Sequence, residues 1–393
     1  MRRFDDIERR ARIARRHGID PAHRFDDAVT ATRAMTVLHA TEPATVHLSV
    51  FARVTDMSAA GLDPALYDER SLVKQLAMRR TLFVFPRDLL PAAWGSASAR
   101  VAATERARII KDVTASGLAA DGDSWVDAAC SAVLDRLGAG PLTAQRVREE
   151  VPQLTGKVTI SPGTTWGGEV PIGPRVLGLL GARGDIVRGR NSSHWRVSRP
   201  EWTLMRDWLE ESGGAVPTAL PAREGYAEIA RRWLWTFGPA SLNDLKWWLG
   251  STVSAARAAL ADIGAQEVET AAGPAFVLSD DLDAEPAQAP WAALLPVLDP
   301  TVMGWKERGF FLGPHAERLF DRNGNAGTTA WWDGQAVGCW VQDPDGVVEV
   351  RLLENVGADG RAALAVEAER LTTWLDGVKV GTVYSSPLMK PGA

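Results

Sequence analysis

The chain has 393 residues, 46% apolar and 24% charged, with a net charge of −5. That length exceeds what one hydrophobic core supports, so two to four domains are expected, and the composition is that of an ordinary globular protein. No run of 18 apolar residues is present, which excludes a membrane-spanning helix. The basic opening MRRFDDIERRARIARR lacks an apolar stretch behind it and does not read as a secretory signal.

Cys130 and Cys339 are far apart and in no metal-binding spacing, as expected of reduced core residues in a cytoplasmic protein. Charge is unevenly spread. Residues 1–111 hold 19 Lys/Arg against 13 Asp/Glu, and the remainder holds 25 against 36. Such asymmetry hints at a basic surface on the first part, although a solvated helix would leave the same trace.

In chain order, residues 1–116 read as mostly helical. Asp5 to Arg16 carries charges of both signs and few apolar residues, which predicts an exposed helix or a flexible arm. Phe25, Val29, Met35 and Leu38 recur at helical spacing. Pro43 opens the next helix, with Val46, Val50 and Val54 on its buried face. Arg80 to Phe85, rich in aromatic and β-branched residues, reads as a strand. Residues 117–216 begin with a helix over Trp125–Leu137, followed by one capped by Thr143 and running to Glu150. A Gly/Pro-rich stretch leads to a helix over Arg175–Arg183 and a hairpin of Asp185–Arg190 with His194–Ser198. Helix, turn, helix and basic hairpin is the order of a winged helix. Residues 217–282 repeat the theme, with helices over Gly225–Trp235, from Ser241 to Leu249 and from Ser251 to Ile263, then two strands. GPLTAQRVREEV and GPASLNDLKWWL echo each other about 100 residues apart, as a repeated module does. Residues 283–393 read as a small sheet turned by Asp333-Gly334 and Asp345-Gly346, a helix over Gly360–Leu375 and a last strand over Val378–Ser385.

Several segments carry a likeness when taken in order: LHATEPATVHLSVFARV at 38–54, RSLVKQLAMRRTLFVF at 70–85, WGGEVPIGPRVLGLLGARGDIVRGR at 166–190, FGPASLNDLKWWLG at 237–250 and LLPVLDPTVMGWKERGFFLG at 294–313. Together they resemble the AlkZ/YcaQ family of winged-helix DNA glycosylases over nearly the whole chain. The resemblance implies a mostly α fold with β (α+β), made of tandem winged-helix modules followed by a C-terminal β-barrel-like element. It implies a monofunctional glycosylase acting on alkylated or bulky N7-purine adducts, some members also unhooking crosslinks, with no metal or organic cofactor. Double-stranded DNA is the expected partner, bound by a monomer.

The family carries Gln-x-Gln or Gln-x-Asp where this chain has His39-Ala40-Thr41. By position, His39 and Thr41 would hold the attacking water. Histidine can also accept a proton near neutral pH; threonine can hold water but cannot act as a base. Glu42 is the nearest carboxylate and could compensate. Each has a plainer reading: His39 as a core or DNA-facing residue, Thr41 as a helix cap before Pro43, Glu42 as a first-turn carboxylate.

Arg79-Arg80-Thr81 matches a family Met-Arg-Gly-Thr pattern, with Arg80 in the glycine's place, and Arg79 is expected near a phosphate or near the triplet. A surface arginine pair is the alternative. Arg188, Arg190 and Arg196 lie on the basic hairpin, where phosphate contact is expected. Lys306 and Arg308 match a family basic pair; the alternative is a salt bridge with Asp299. Of the 16 tryptophans, Trp233, Trp235, Trp247 and Trp248 fall at helical spacing and read as core. Trp166 is the one expected near DNA. No phosphate loop, HExxH or clustered histidines point to another chemistry. The competing reading is a non-enzymatic winged-helix regulator, favoured by the altered triplet.

Overall fold

The computed structural model describes residues 1–160 and 167–392. It is a mixed α+β fold in which small sheets alternate with helices, as the family resemblance implies. In the first part, Leu38–His39 pairs antiparallel with Thr81–Pro86, which pairs in turn with Leu72–Ala77. The Leu72–Ala77 strand escapes the pattern reading because LVKQLA does not alternate: Gln75 is buried beside Leu72 and Val73.

The second part is a helix–turn–helix with a wing. Asp121 caps Gly122–Leu137 and Thr143 caps Ala144–Glu150, each accepting a first-turn N–H. The Gly173–Arg183 helix leads into the wing strands Ile186–Asn191 and Pro200–Leu204. The second wing strand therefore lies beyond the expected His194–Ser198, which instead forms the connecting loop. The third part is built alike: Ser241 and Asp244 form a capping box on Leu242–Leu249, and Thr252, one residue past the expected cap, starts Val253–Asp262.

The N-terminus corrects an expectation. Arg3–Phe4 adds a parallel strand to the Gln266–Thr270 and Gly273–Val277 hairpin. The Asp6–Arg16 helix that follows is packed, not an exposed arm. Arg12 and Arg16 both pair with Asp281, at 2.7 and 2.6 Å. The Arg9 guanidinium lies 3.5 Å from the Phe310 ring centre. Their partners are roughly 265 to 301 residues away in sequence, so local composition makes a packed helix look solvated.

The C-terminal element is an open four-stranded sheet, in the order Ala292–Leu295, Thr329–Trp332, Gln335–Gln342, Val348–Leu352, with no closed barrel among the described residues. The Gly357–Leu375 helix packs on it, and 378–386 carries no strand where one was expected. Leu48 and Phe51 of the Pro43–Arg53 helix share one apolar cluster with Leu294, Val337 and Leu371. Burying each such side chain stabilises by about 1.5–3 kcal/mol, which fixes the helix start, and hence the 39–42 loop, against the C-terminal sheet. Cys130 and Cys339 are free thiols, both buried.

Candidate active site

His39 ends a two-residue strand held against Phe83. The next residue continues the contact, Ala40 N–H donating to the Leu82 carbonyl at 2.9 Å. The imidazole meets the Phe83 ring edge-on at 5.4 Å, and Thr41 N–H approaches its Nδ1 at 3.5 Å. His39 keeps 7% of its surface accessible, so it is crowded without being sealed. Burial first, then the nearby Arg79 charge, push its pKa down to about 3. The ring is neutral at physiological pH, and with Nδ1 facing an N–H, its other nitrogen carries the proton. Where a base poised near neutrality was expected, burial leaves His39 a neutral ring and only a weak base.

Thr41 is exposed and does not cap the helix. The N-cap position falls to Glu42, whose side chain makes no capping bond. Its carboxylate instead accepts from Thr382 Oγ1 at 2.8 Å and Val383 N–H at 3.0 Å, and burial raises its pKa against those two bonds. Glu42 thus faces the C-terminal segment, where it lines a cavity of about 300 Å³ with Thr45, Trp340, Lys379 and Thr382.

The turn joining Leu72–Ala77 to Thr81–Pro86 takes Arg79 and Arg80 through left-handed backbone, at φ 55° and 62°. Such a conformation costs about 1–2 kcal/mol per L-residue, and it explains why a glycine suits the Arg80 place. Arg80 points to solvent and pairs with Glu105 at 3.0 Å, and Thr81 takes its place in the strand opposite Ala77. Arg79 turns inward, its guanidinium 4.1 Å from the Trp247 ring centre. Arg308 comes to the same ring from the other end of the sequence, at 5.1 Å, and also faces Phe320 at 4.5 Å. Lys306 is exposed, its backbone N–H donating to Asp244 at 2.8 Å. Neither basic residue pairs with Asp299, which is bound by Arg53 at 2.6 Å.

The wing is tied down more than expected. Arg190 pairs with Asp68 at 2.6 Å, and Arg196 donates to the Lys379 carbonyl at 2.9 Å. Trp195 packs against His47 and Trp374. Arg188 is half-buried, 5.2 Å from the Trp202 ring centre, and burial lowers its pKa. Trp166 lies outside the described residues. Of the four tryptophans read as core, Trp233 and Trp248 are buried, Trp247 is half-buried at the arginines and Trp235 is exposed beneath Arg16.

Two neighbours of the loop were missed in the sequence. Lys74 is half-buried and donates to Tyr67 Oη at 2.9 Å, and desolvation lowers its pKa to about 8. His47 is buried, with Nε2 unpartnered. Both line a small cavity between the 40–43 loop and Arg188. Their placement depends on the wing folding back onto the first part, for which no local pattern exists.

The match to known proteins agrees with this architecture. A structure comparison finds a DNA glycosylase AlkZ from Streptomyces sahachiroi with a TM-score of 0.73, at 19% identity, covering 94% of this chain and 97% of that one. Among curated protein sequences, none matches the chain. The family model described as DNA glycosylase AlkZ-like matches residues 32–374. That span decides between an enzyme and a regulator: the chain belongs to the AlkZ-like DNA glycosylase family and is a DNA glycosylase.

Proposed function

We propose that this glycosylase acts as a monomer on duplex DNA, hydrolysing the N-glycosyl bond of N7-alkylated or bulky N7-purine adducts, with crosslinks within reach of the same chemistry. Water would attack the anomeric carbon while the base departs. A purine alkylated at N7 already carries positive charge, so it leaves as a neutral molecule once it takes the bond electrons. The sugar passes through an oxocarbenium-like state. With so good a leaving group the water needs placement more than deprotonation. The observation that carries this reading is the neutral His39 ring beside the exposed Thr41, a pair able to hold one water. Glu42, engaged by Thr382 and Val383, supports the loop rather than the water. Arg79, Arg188, Lys306 and Arg308 would meet the backbone phosphates, with Arg190, Arg196, Arg80 and Thr81 at the edges.

The test is single-turnover excision from duplex carrying N7-methylguanine or a bulky N7 adduct, read as abasic sites cut by heat or alkali. His39→Ala is expected to lose on the order of 10²-fold in rate, about 2.7 kcal/mol, while binding stays within a few-fold. His39→Gln, which restores the family's residue, is expected to keep most of the activity. The rate should show no break near pH 6.5, because the ring stays neutral down to about pH 3. Full activity in His39→Ala on every adduct tried would end the water-holding role.

A further inference from the structure

Arg79 and Arg308 are 229 positions apart in sequence, yet their guanidiniums share the Trp247 ring. Neither has a carboxylate within salt-bridge range among the described residues. Arg79 Nε, Arg308 Nε and Arg308 Nη2 are all buried without a hydrogen-bond partner. Burial pulls both guanidiniums down to about 10, and Arg79 lowers Arg308 further by like-charge repulsion. Both remain cations at pH 7.

The surroundings hold this unfavourable arrangement in place. Gly250 closes the Leu242–Leu249 helix in left-handed backbone at φ 58°. A Cβ there would sit 2.8 Å from Arg79 Cγ, so the glycine makes room for the arginine as well as for the turn. Asp244, the nearest acid to influence Arg308, is taken up by the backbone N–H groups of Ser241, Lys306 and Glu307. Two half-buried positive charges with enclosed, unmet donors and no carboxylate partner among the described residues offer the chemistry of an anion site. Guanidiniums suit phosphate in both charge and fork geometry. Arg79 also acts electrostatically on His39, which places the anion next to the reacting nucleotide.

We propose that Arg79 and Arg308, backed by Trp247, form a single clamp for one phosphodiester of the damaged strand, adjacent to the nucleotide held at His39. The clamp rests on the glycosylase reading for its ligand's place in DNA, though not for its anion chemistry. It sets which phosphate anchors the strand, and so the register of the lesion against the loop.

The test uses the full chain and a duplex with a tetrahydrofuran abasic analogue, which cannot be hydrolysed. A single neutral methylphosphonate is moved along the phosphates flanking the analogue. One position is expected to weaken wild-type binding by at least about tenfold, and to have no effect on the Arg79→Met/Arg308→Met double variant. That variant should also lower the slope of log affinity against log salt by about one to two, one for each charge removed. Inorganic phosphate alone should raise the melting temperature of the wild type and not of the variant. Should the variant fail to fold, the methylphosphonate scan on the wild type still decides. The clamp is overturned if no single position stands out, or if the double variant folds and keeps the wild-type salt slope. Absence of excision with the binding results intact would sink the glycosylase chemistry and leave the clamp standing; unaltered binding with excision preserved would do the reverse.

Discussion

Two buried arginine sites in this molecule are built in opposite ways. Arg53 is fully enclosed and its charge is answered: it binds Asp299 through both terminal nitrogens, at 2.9 and 2.6 Å, and also reaches the Ser49 carbonyl and Thr301 Oγ1, leaving Nε alone without a partner. Asp299 in turn accepts from Ser49 and Thr301. Arg79 and Arg308 are half-buried, with Arg79 Nε, Arg308 Nε and Arg308 Nη2 enclosed, and no carboxylate among the described residues answers either. The first site ties the Pro43–Arg53 helix to the C-terminal part. The second packs on Trp247 and Phe320 without a counter-charge. Where a chain keeps charge buried without a counter-charge, the counter-charge is to be sought in its ligand.

A third solution is neutralisation. His17, His39 and His47 have pKa values lowered to about 3, 3 and 4, in each case mainly by burial. Their folded-state values lie below the unfolded 6.5, so the unfolded chain takes up protons first. Stability is complete above pH 6.5 and falls as pH drops toward 3–4. At pH 5 each ring is expected to remove roughly 2 kcal/mol and the three together about 6 kcal/mol. Urea titrations at pH 7.5 and 5 measure this, and pH-independent stability would break the claim that these rings are buried neutral.

The contrast between the arginines is tested next. Asp299→Asn leaves Arg53 enclosed and unpaired, and is expected to lose about 3–5 kcal/mol. Arg308→Met removes an unanswered charge and is expected to gain stability, by about 1–2 kcal/mol. Opposite signs in chemical denaturation sharpen the distinction; equal losses would erase it. The smallest effect concerns Arg80. Arg80→Gly relieves the left-handed backbone but gives up an exposed ion pair with Glu105 and adds chain entropy. A change under about 1 kcal/mol, toward greater stability, is expected in the melting curve.

Local signals in the sequence were reliable where the physics is local. Thr143 and Ser241 cap their helices as read, and Asp333-Gly334 turns its hairpin. The wing's second strand was placed too early because His194–Ser198 holds an aromatic and a valine, yet Trp195 serves to dock the loop on His47 and Trp374. The arginines of the first helix looked solvated because Asp281 and Glu285 answer them from far along the chain. The His39-Ala40-Thr41 triplet can be read off the sequence, but the protonation of its imidazole cannot. The depressed His39 pKa depends on burial and on Arg79, neither of which a tripeptide encodes. The meeting of Arg79 with Arg308 is a property of the assembled fold alone.

Glu42 draws both its donors from Thr382 and Val383, 340 positions further on. The loop that carries His39 is therefore completed only once a segment far along the chain is in place. A nascent chain short of residue 382 leaves this carboxylate unsupported at the rim of the reactive centre. A cut or insertion around residues 382–383 would therefore be felt at the 39–42 loop.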